Sequence, residues 1–170
     1  MHDTDIEQIN GQVIERTQRL KIKSYRCVLY GALASRPHVV TIPLDPGIEI
    51  GSHPDDLALE TWMQTYSSTS PNIVNLSENR STVGIPLLTR YIVQTLKVDK
   101  TKPELHIQMQ DNQLIANLNK VSGCQWWGAV IVVKHGPRGI RNISEDELFT
   151  INSITKSVTS VSEYNSVKDE

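Results

Sequence analysis

The sequence predicts a single α+β domain, a mostly antiparallel sheet with amphipathic helices packed on it; a mixed-sheet α/β arrangement is the alternative. Three observations carry this. Residues alternate with period two in the first third and again beyond residue 104, the signature of half-buried strands. Helical apolar stripes open and close the chain, and each must be buried against something. The late strands are joined by short links, which favours antiparallel neighbours.

The first element spans Asp5 to Leu20, where Ile6, Ile9, Val13 and Leu20 fall near one helical face. Thr4 or Asp5 is placed to cap it. A strand follows, with Tyr25, Cys27 and Leu29 alternating against Arg26, Val28 and Tyr30. A second runs from His38 to Ile42 and stops at Pro43, because proline cannot donate to a ladder. The residues from Leu44 to Ser52 read as loop around Asp45-Pro46-Gly47. Helical spacing predicts helices from Pro54 to Tyr66 and from Thr82 to Leu96, the latter on Leu88, Tyr91, Ile92 and Leu96.

Asp99 to Pro103 reads as a linker. Leu105 to Gln110 and Leu114 to Asn119 then alternate around Asp111-Asn112, the pattern of a β-hairpin. Trp127 to Lys134 forms a third late strand, whose continuous run from Ala129 to Val133 predicts burial on both faces. The last helix carries a capping box, Ser144 with Glu147 three residues on. Its stripe is Leu148, Ile151, Ile154 and Val158. Residues 1–160 thus read as one domain and 161–170 as a polar tail.

The length of 170 residues fits one domain with a core that needs no staples. With 38% hydrophobic and 21% charged residues the chain is ordinary globular material. A net charge of −2 argues against a domain that binds nucleic acid by charge alone. The opening Met1-His2-Asp3-Thr4-Asp5 has no basic start with an apolar run behind it, so no secretory signal is expected. The apolar stretch from Gly128 to Val133 is too short to cross a bilayer. Cys27 and Cys124 therefore read as buried thiols in the cytoplasm or another reducing compartment. The sequons at Asn75, Asn79 and Asn142 read as chance matches.

One local motif carries possible chemistry. His53-Pro54-Asp55-Asp56 resembles the signature of the zinc-dependent N-acetylglucosaminyl deacetylases. The resemblance implies His53 and Asp56 as metal ligands, Asp55 as the general base, and a zinc cofactor for a small hydrolase. Zinc accepts such N and O ligands and acidifies bound water. The third ligand of that family comes from an H-x-x-H pair, which is absent here; His106 and His135 stand alone. The same letters also read as a helix start, with Ser52 as cap, Pro54 in the first turn and two acids at the positive end of the dipole. That reading needs no cofactor.

Two further features point to binding. The stretch Lys134-His135-Gly136-Pro137-Arg138-Gly139-Ile140-Arg141 reads as a glycine-containing loop between strand and helix. Lys134, Arg138 and Arg141 are its candidate anion or RNA contacts. Trp126 and Trp127 are neighbours where the expected strand begins, and in extended chain neighbours point to opposite faces. One then enters the core while the other meets solvent, a helix or a partner, which makes the pair a candidate interface. No nucleophile elbow or cysteine signature exists, and no catalytic residue is assigned. The sequence thus favours a non-enzymatic interaction or regulatory module, whose partner is another protein or a second copy.

Overall fold

The computed structural model describes residues 1–43, 66, 82–86, 91–96, 111–120, 126, 128–136 and 139–161. Helix α1 spans Asp3–Leu20 and buries Ile6, Val13 and Thr17. The His2 N–H donates to the Asp5 carboxylate at 3.2 Å, which closes its first turn. Its last turn ends on Lys21 in the left-handed region (φ 52), with Ile22 N–H returning to Thr17 O at 3.0 Å.

β1 (Ser24–Tyr30) and β2 (His38–Pro43) form the expected antiparallel pair, with Cys27 opposite Val40. Two more strands, β3 (Thr82–Pro86) and β4 (Tyr91–Leu96), pair antiparallel with Gly84 opposite Gln94. They replace the helix expected from Thr82 to Leu96. Tyr91, Ile92 and Leu96 do recur at helical spacing, but Thr82, Val83, Ile85, Ile92, Val93 and Thr95 are β-branched, and such side chains pack well on a pleated surface. Pro86 stands at the end of β3, where a missing N–H is tolerated.

The second correction concerns Leu114 to Asn119, which is not a strand. Helix α2 occupies Gln113–Asn119. Over so short a segment, Leu114, Ala116 and Leu118 satisfy either period, and the cap decides. Asn112 Oδ1 accepts the Ile115 N–H at 2.9 Å. The partner segment, Leu105 to Gln110, lies outside the described residues. So do the expected loop from Leu44 to Ser52, the helix from Pro54 onward except the buried Tyr66, and the linker from Asp99.

β5 (Val130–Gly136) is the centre of the sheet, whose order is β2-β1-β5-β4-β3; β6 (Gly139–Arg141) pairs β5 farther along. Among the described residues all the pairings are antiparallel. Val130, Ile131, Val132 and Val133 are each 0% exposed, as the continuous apolar run predicted for a strand covered on both faces. Val39, Val28, Val132 and Val93 line up as one row across β2, β1, β5 and β4. Beyond Val28 the chain after β6 lies beside β1. Ile143 N–H donates to Arg26 O at 3.1 Å, and Asn142 Oδ1 accepts the Arg26 N–H at 2.8 Å.

A 3₁₀ turn at Glu145–Glu147 leads into helix α3, Leu148–Val161. The capping box expected at Ser144 is present, with Glu147 Oε2 accepting the Ser144 N–H at 2.9 Å. Ile151 is fully buried and Leu148 packs against the core. The tail expected from residue 161 starts inside the last helical position, and 162–170 lie outside the described residues. α3 covers the face of the sheet that carries Tyr30, whose hydroxyl donates to Asn152. α1 lies along β2 and receives the side chain of His38, which shares the opposite face with Leu29.

One buried amide ties these parts together. Asn112 is 0% exposed. Its Nδ2 donates to Tyr30 O at 2.9 Å and Gly128 O at 2.8 Å, joining the ends of β1 and the approach to β5. Its own N–H donates to Trp126 O at 2.7 Å. Gly128 has φ 67, a conformation that glycine adopts without steric cost. The chain is a single-domain α+β fold, and among the described residues no helix is long and apolar enough to cross a membrane.

Candidate functional site

Residues directly opposed in an antiparallel pair share a face. Tyr91 on β4 and Arg141 on β6 both oppose Lys134 on β5, so the three stand in one row on the side covered by α3. Glu147 meets that row. Its Oε1 accepts from the Tyr91 hydroxyl and from Lys134 Nζ, both at 2.6 Å. Its Oε2 accepts from the Ser144 N–H at 2.9 Å and, more weakly, from Ser144 Oγ at 3.3 Å. Partial burial pushes this carboxyl up, but the Lys134, Tyr91 and Ser144 hydrogen bonds outweigh it and hold it at about 2.

This arrangement shows where two of the candidate anion contacts, Lys134 and Arg141, stand. Lys134 to Gly136 and Gly139 to Arg141 are strand segments paired antiparallel, with Gly136 opposite Gly139, rather than loop as expected. Lys134 is 22% exposed and paired with the Glu147 carboxylate. Arg141 is exposed, and Arg138 lies outside the described residues. The cluster keeps its carboxylate ionised and its ammonium and phenol engaged. It ties the 3₁₀ turn that leads into α3 to the sheet.

That anchoring determines what α3 presents. Phe149 follows Glu147 by two positions, which turns it to nearly the opposite side of the helix. It is 83% exposed and is the chain's single phenylalanine. Asp146, Thr150 and Ser153 are exposed beside it on the outward surface. The signal was present in the sequence, since Phe149 sits off the stripe formed by Leu148 and Ile151. Only the geometry shows that nothing among the described residues covers it.

A second polar cluster joins α1 to the segment before β2. Both Asp3 carboxylate oxygens accept the Ser35 N–H at 3.1 Å, and Oδ1 meets His38 Nε2 at 2.8 Å. Burial raises the Asp3 carboxyl, but the His38 and Ser35 hydrogen bonds prevail and bring it to about 2. His38 is 7% exposed, so its ring is held between α1 and the sheet. No local motif announced this pair, whose members come from different elements.

The remaining candidates separate. Trp126 is the tryptophan that enters the core: it is 3% exposed and its Nε1–H donates to Thr159 O at 3.2 Å. Trp127 lies outside the described residues, as do His53, Asp55, Asp56 and Cys124. Among the described residues no group of three His, Cys, Asp or Glu side chains could hold a metal ion. Cys27 is a free thiol at 0% exposure, and burial pushes its pKa strongly upward, away from the reactive thiolate. No family model, curated protein or solved structure matches the chain.

Proposed function

We propose that this chain is a non-enzymatic protein-interaction module that meets a partner protein through the outward face of α3, with Phe149 as the anchor. The observation that carries the reading is the exposure of Phe149 on a helix whose leading 3₁₀ turn is fixed to the sheet. Leaving a phenylalanine in water forgoes roughly 1.5–3 kcal/mol of burial. Aromatic side chains on rigid elements are the residues around which interfaces concentrate their binding energy. Thr150 and Ser153 beside it are uncharged and inexpensive to desolvate compared with ionised groups.

The two polar clusters support the same reading, because their charges are engaged in holding helices to the sheet. The proposal invokes no cofactor, nucleic acid or membrane. It places the chain in the cytoplasm or another reducing compartment, in keeping with the free Cys27 thiol.

The test is site-specific photocrosslinking in the cells that make the protein. A photoreactive phenylalanine at position 149 is expected to give one discrete protein adduct, absent when the same group replaces exposed Glu15 on α1. Identical adducts from both positions, or none from 149, would sink the proposal.

A further inference from the structure

Four cations collect where α1 ends. Arg16, Arg19, Lys21 and Lys23 are all exposed, and residues 16–23 contain no acid. A net charge of −2 over the chain, with +4 in this segment, leaves −6 elsewhere. The helix dipole accounts for Arg19 in the last turn, since a cation beside the terminal carbonyls is stabilising. It does not account for Lys21 and Lys23 beyond the helix, or for the missing counter-ions. Among the described residues none of the four makes an ion pair, whereas Arg36 and Lys134 do. Glu15, four positions before Arg19, is exposed and unpaired as well.

Leu20 stands in their midst. It follows Val13 by seven positions and so lies on the same face of α1, yet Val13 is buried and Leu20 is 52% exposed. The placement of α1 explains the difference. Asp3 is bound at Ser35 and His38, and Asn10 at Val39 and Thr41, so the helix runs alongside β2 in the same direction. From Asn10 to Leu20 it advances about 15 Å, while β2 continues only about 7 Å past Thr41 before it stops at Pro43. The apolar face of α1 thus runs past its strand. Arg16 lies beside Leu20 on the helix surface, and Lys21 and Lys23 follow it along the chain. Arg26 is exposed too, but it shares the parity of Tyr30 and stands on the α3 side of β1.

We propose that the end of α1 docks on the surface of an anionic phospholipid membrane, with Leu20 entering the headgroup boundary and Arg16, Arg19, Lys21 and Lys23 meeting the headgroups. An apolar side chain ringed by unpaired cations matches a surface that is negative outside and apolar beneath. A nucleic acid answers the charge but not the leucine. Its bases are read by aromatic stacking or base-edge hydrogen bonds, and Tyr25, the aromatic residue next along the chain, is buried. An acidic protein segment must order four long side chains that nothing in the fold positions, at a cost in side-chain entropy. The diffuse charge of a bilayer demands no single geometry. The negative remainder of the molecule turns away from such a surface, so the field also orients the approach. The contact is peripheral, and it leaves the α3 face with Phe149 free for its protein partner.

Flotation of the full chain with lipid vesicles tests the proposal. Binding is expected to vesicles of phosphatidylcholine with roughly one-third phosphatidylserine, to weaken as salt is raised, and to be absent from phosphatidylcholine alone. Each cation removed is expected to weaken binding about fivefold, so Lys21→Gln with Lys23→Gln should cost about 25-fold. Adding Arg16→Gln and Arg19→Gln should abolish it; the lysine pair, outside the helix, serves if the fourfold variant does not fold. Leu20→Ser is expected to cost about fivefold. Glu15→Gln, which removes the acid next to Arg16, is expected to tighten binding, a change that damage to the fold does not imitate. Phe149→Ser is expected to leave vesicle binding unchanged, which separates this surface from the α3 face. A single-stranded RNA oligonucleotide and polyglutamate serve as competing polyanions and are expected to bind more weakly than the anionic vesicles. Equal or absent binding to the two vesicle types, indifference to the lysine pair or to Leu20→Ser, loss on Phe149→Ser, or tighter binding of either polyanion would each overturn the proposal.

Discussion

Glu147 accepts from Lys134, Tyr91 and Ser144, and this makes its ionised form part of the fold. Its carboxyl lies at about 2 when folded, against 4.5 for the free group. A depressed carboxylate contributes stability that is fully present above the ordinary value and is lost as pH falls through the folded one. Glu147→Gln is expected to cost on the order of 1–3 kcal/mol at neutral pH, between the values for exposed and buried pairs. The gap to wild type should close as pH is lowered from roughly 4.5 towards 2. Urea unfolding of both proteins at several pH values reads this directly; a gap that persists undiminished at the acid end would contradict it. Phe149 and Ile151 supply a second comparison, two residues apart on α3. Phe149→Ser is expected to shift stability by less than about 0.5 kcal/mol, as surface changes do. Ile151→Ala, at 0% exposure, should cost about 2–5 kcal/mol. Equal losses in thermal or denaturant unfolding would mean that Phe149 is packed. The Ser144–Glu147 half of the cluster was readable because it is local. The Tyr91 and Lys134 half was not, since it depends on β4 and β5 being neighbours.

Glycine separates two demands at the level of elements. Gly11 lies in the interior of α1 with nothing within 4 Å of where a Cβ would stand. Its effect there is the entropy it adds to the unfolded chain, so Gly11→Ala should stabilise by roughly 0.5–1 kcal/mol. At Gly31 a Cβ would stand 2.7 Å from Ile6 Cδ1 and 3.3 Å from Ala34 Cβ. Gly31→Ala is therefore expected to loosen the seat of α1 and destabilise. Opposite signs in the two melting-temperature shifts check the argument; a stabilising Gly31→Ala would refute the close-packing account. Element type was legible wherever local chemistry was decisive: the α1 stripe, the alternation in β1, the fully apolar β5 and the box that opens α3. It failed from Thr82 to Leu96 and from Leu114 to Asn119, where spacing alone was compatible with the wrong element. In the first, β-branched content and β5 as a pairing partner override the stripe. In the second, Asn112 supplies the cap that an alternating pattern does not reveal. The candidate site was less legible than the fold, because its parts meet only after β5 has brought β4 and β6 to its sides.

At the scale of the whole molecule the order of strands predicts an order of stability. β5 pairs with β1, β4 and β6, so residues from both ends of the described chain converge on it. Opening Val130 to Val133 to solvent requires separating strands on both sides and uncovering four fully buried side chains. Their amides are expected to exchange only through global unfolding, with a free energy equal to that from denaturant titration. Thr41 differs in kind. Its N–H faces away from β1 and is held by the Asn10 side chain, so it is released whenever α1 lifts locally, without loss of the sheet. Its exchange should be faster than that of β5. Asn10→Ala should accelerate it by about tenfold or more, the equivalent of a lost hydrogen bond near 1.4 kcal/mol, while β5 shifts only by the change in global stability. Hydrogen-exchange NMR resolves both groups in one experiment. If Thr41 and Val132 exchanged at matching rates, α1 and the sheet would open as one cooperative unit.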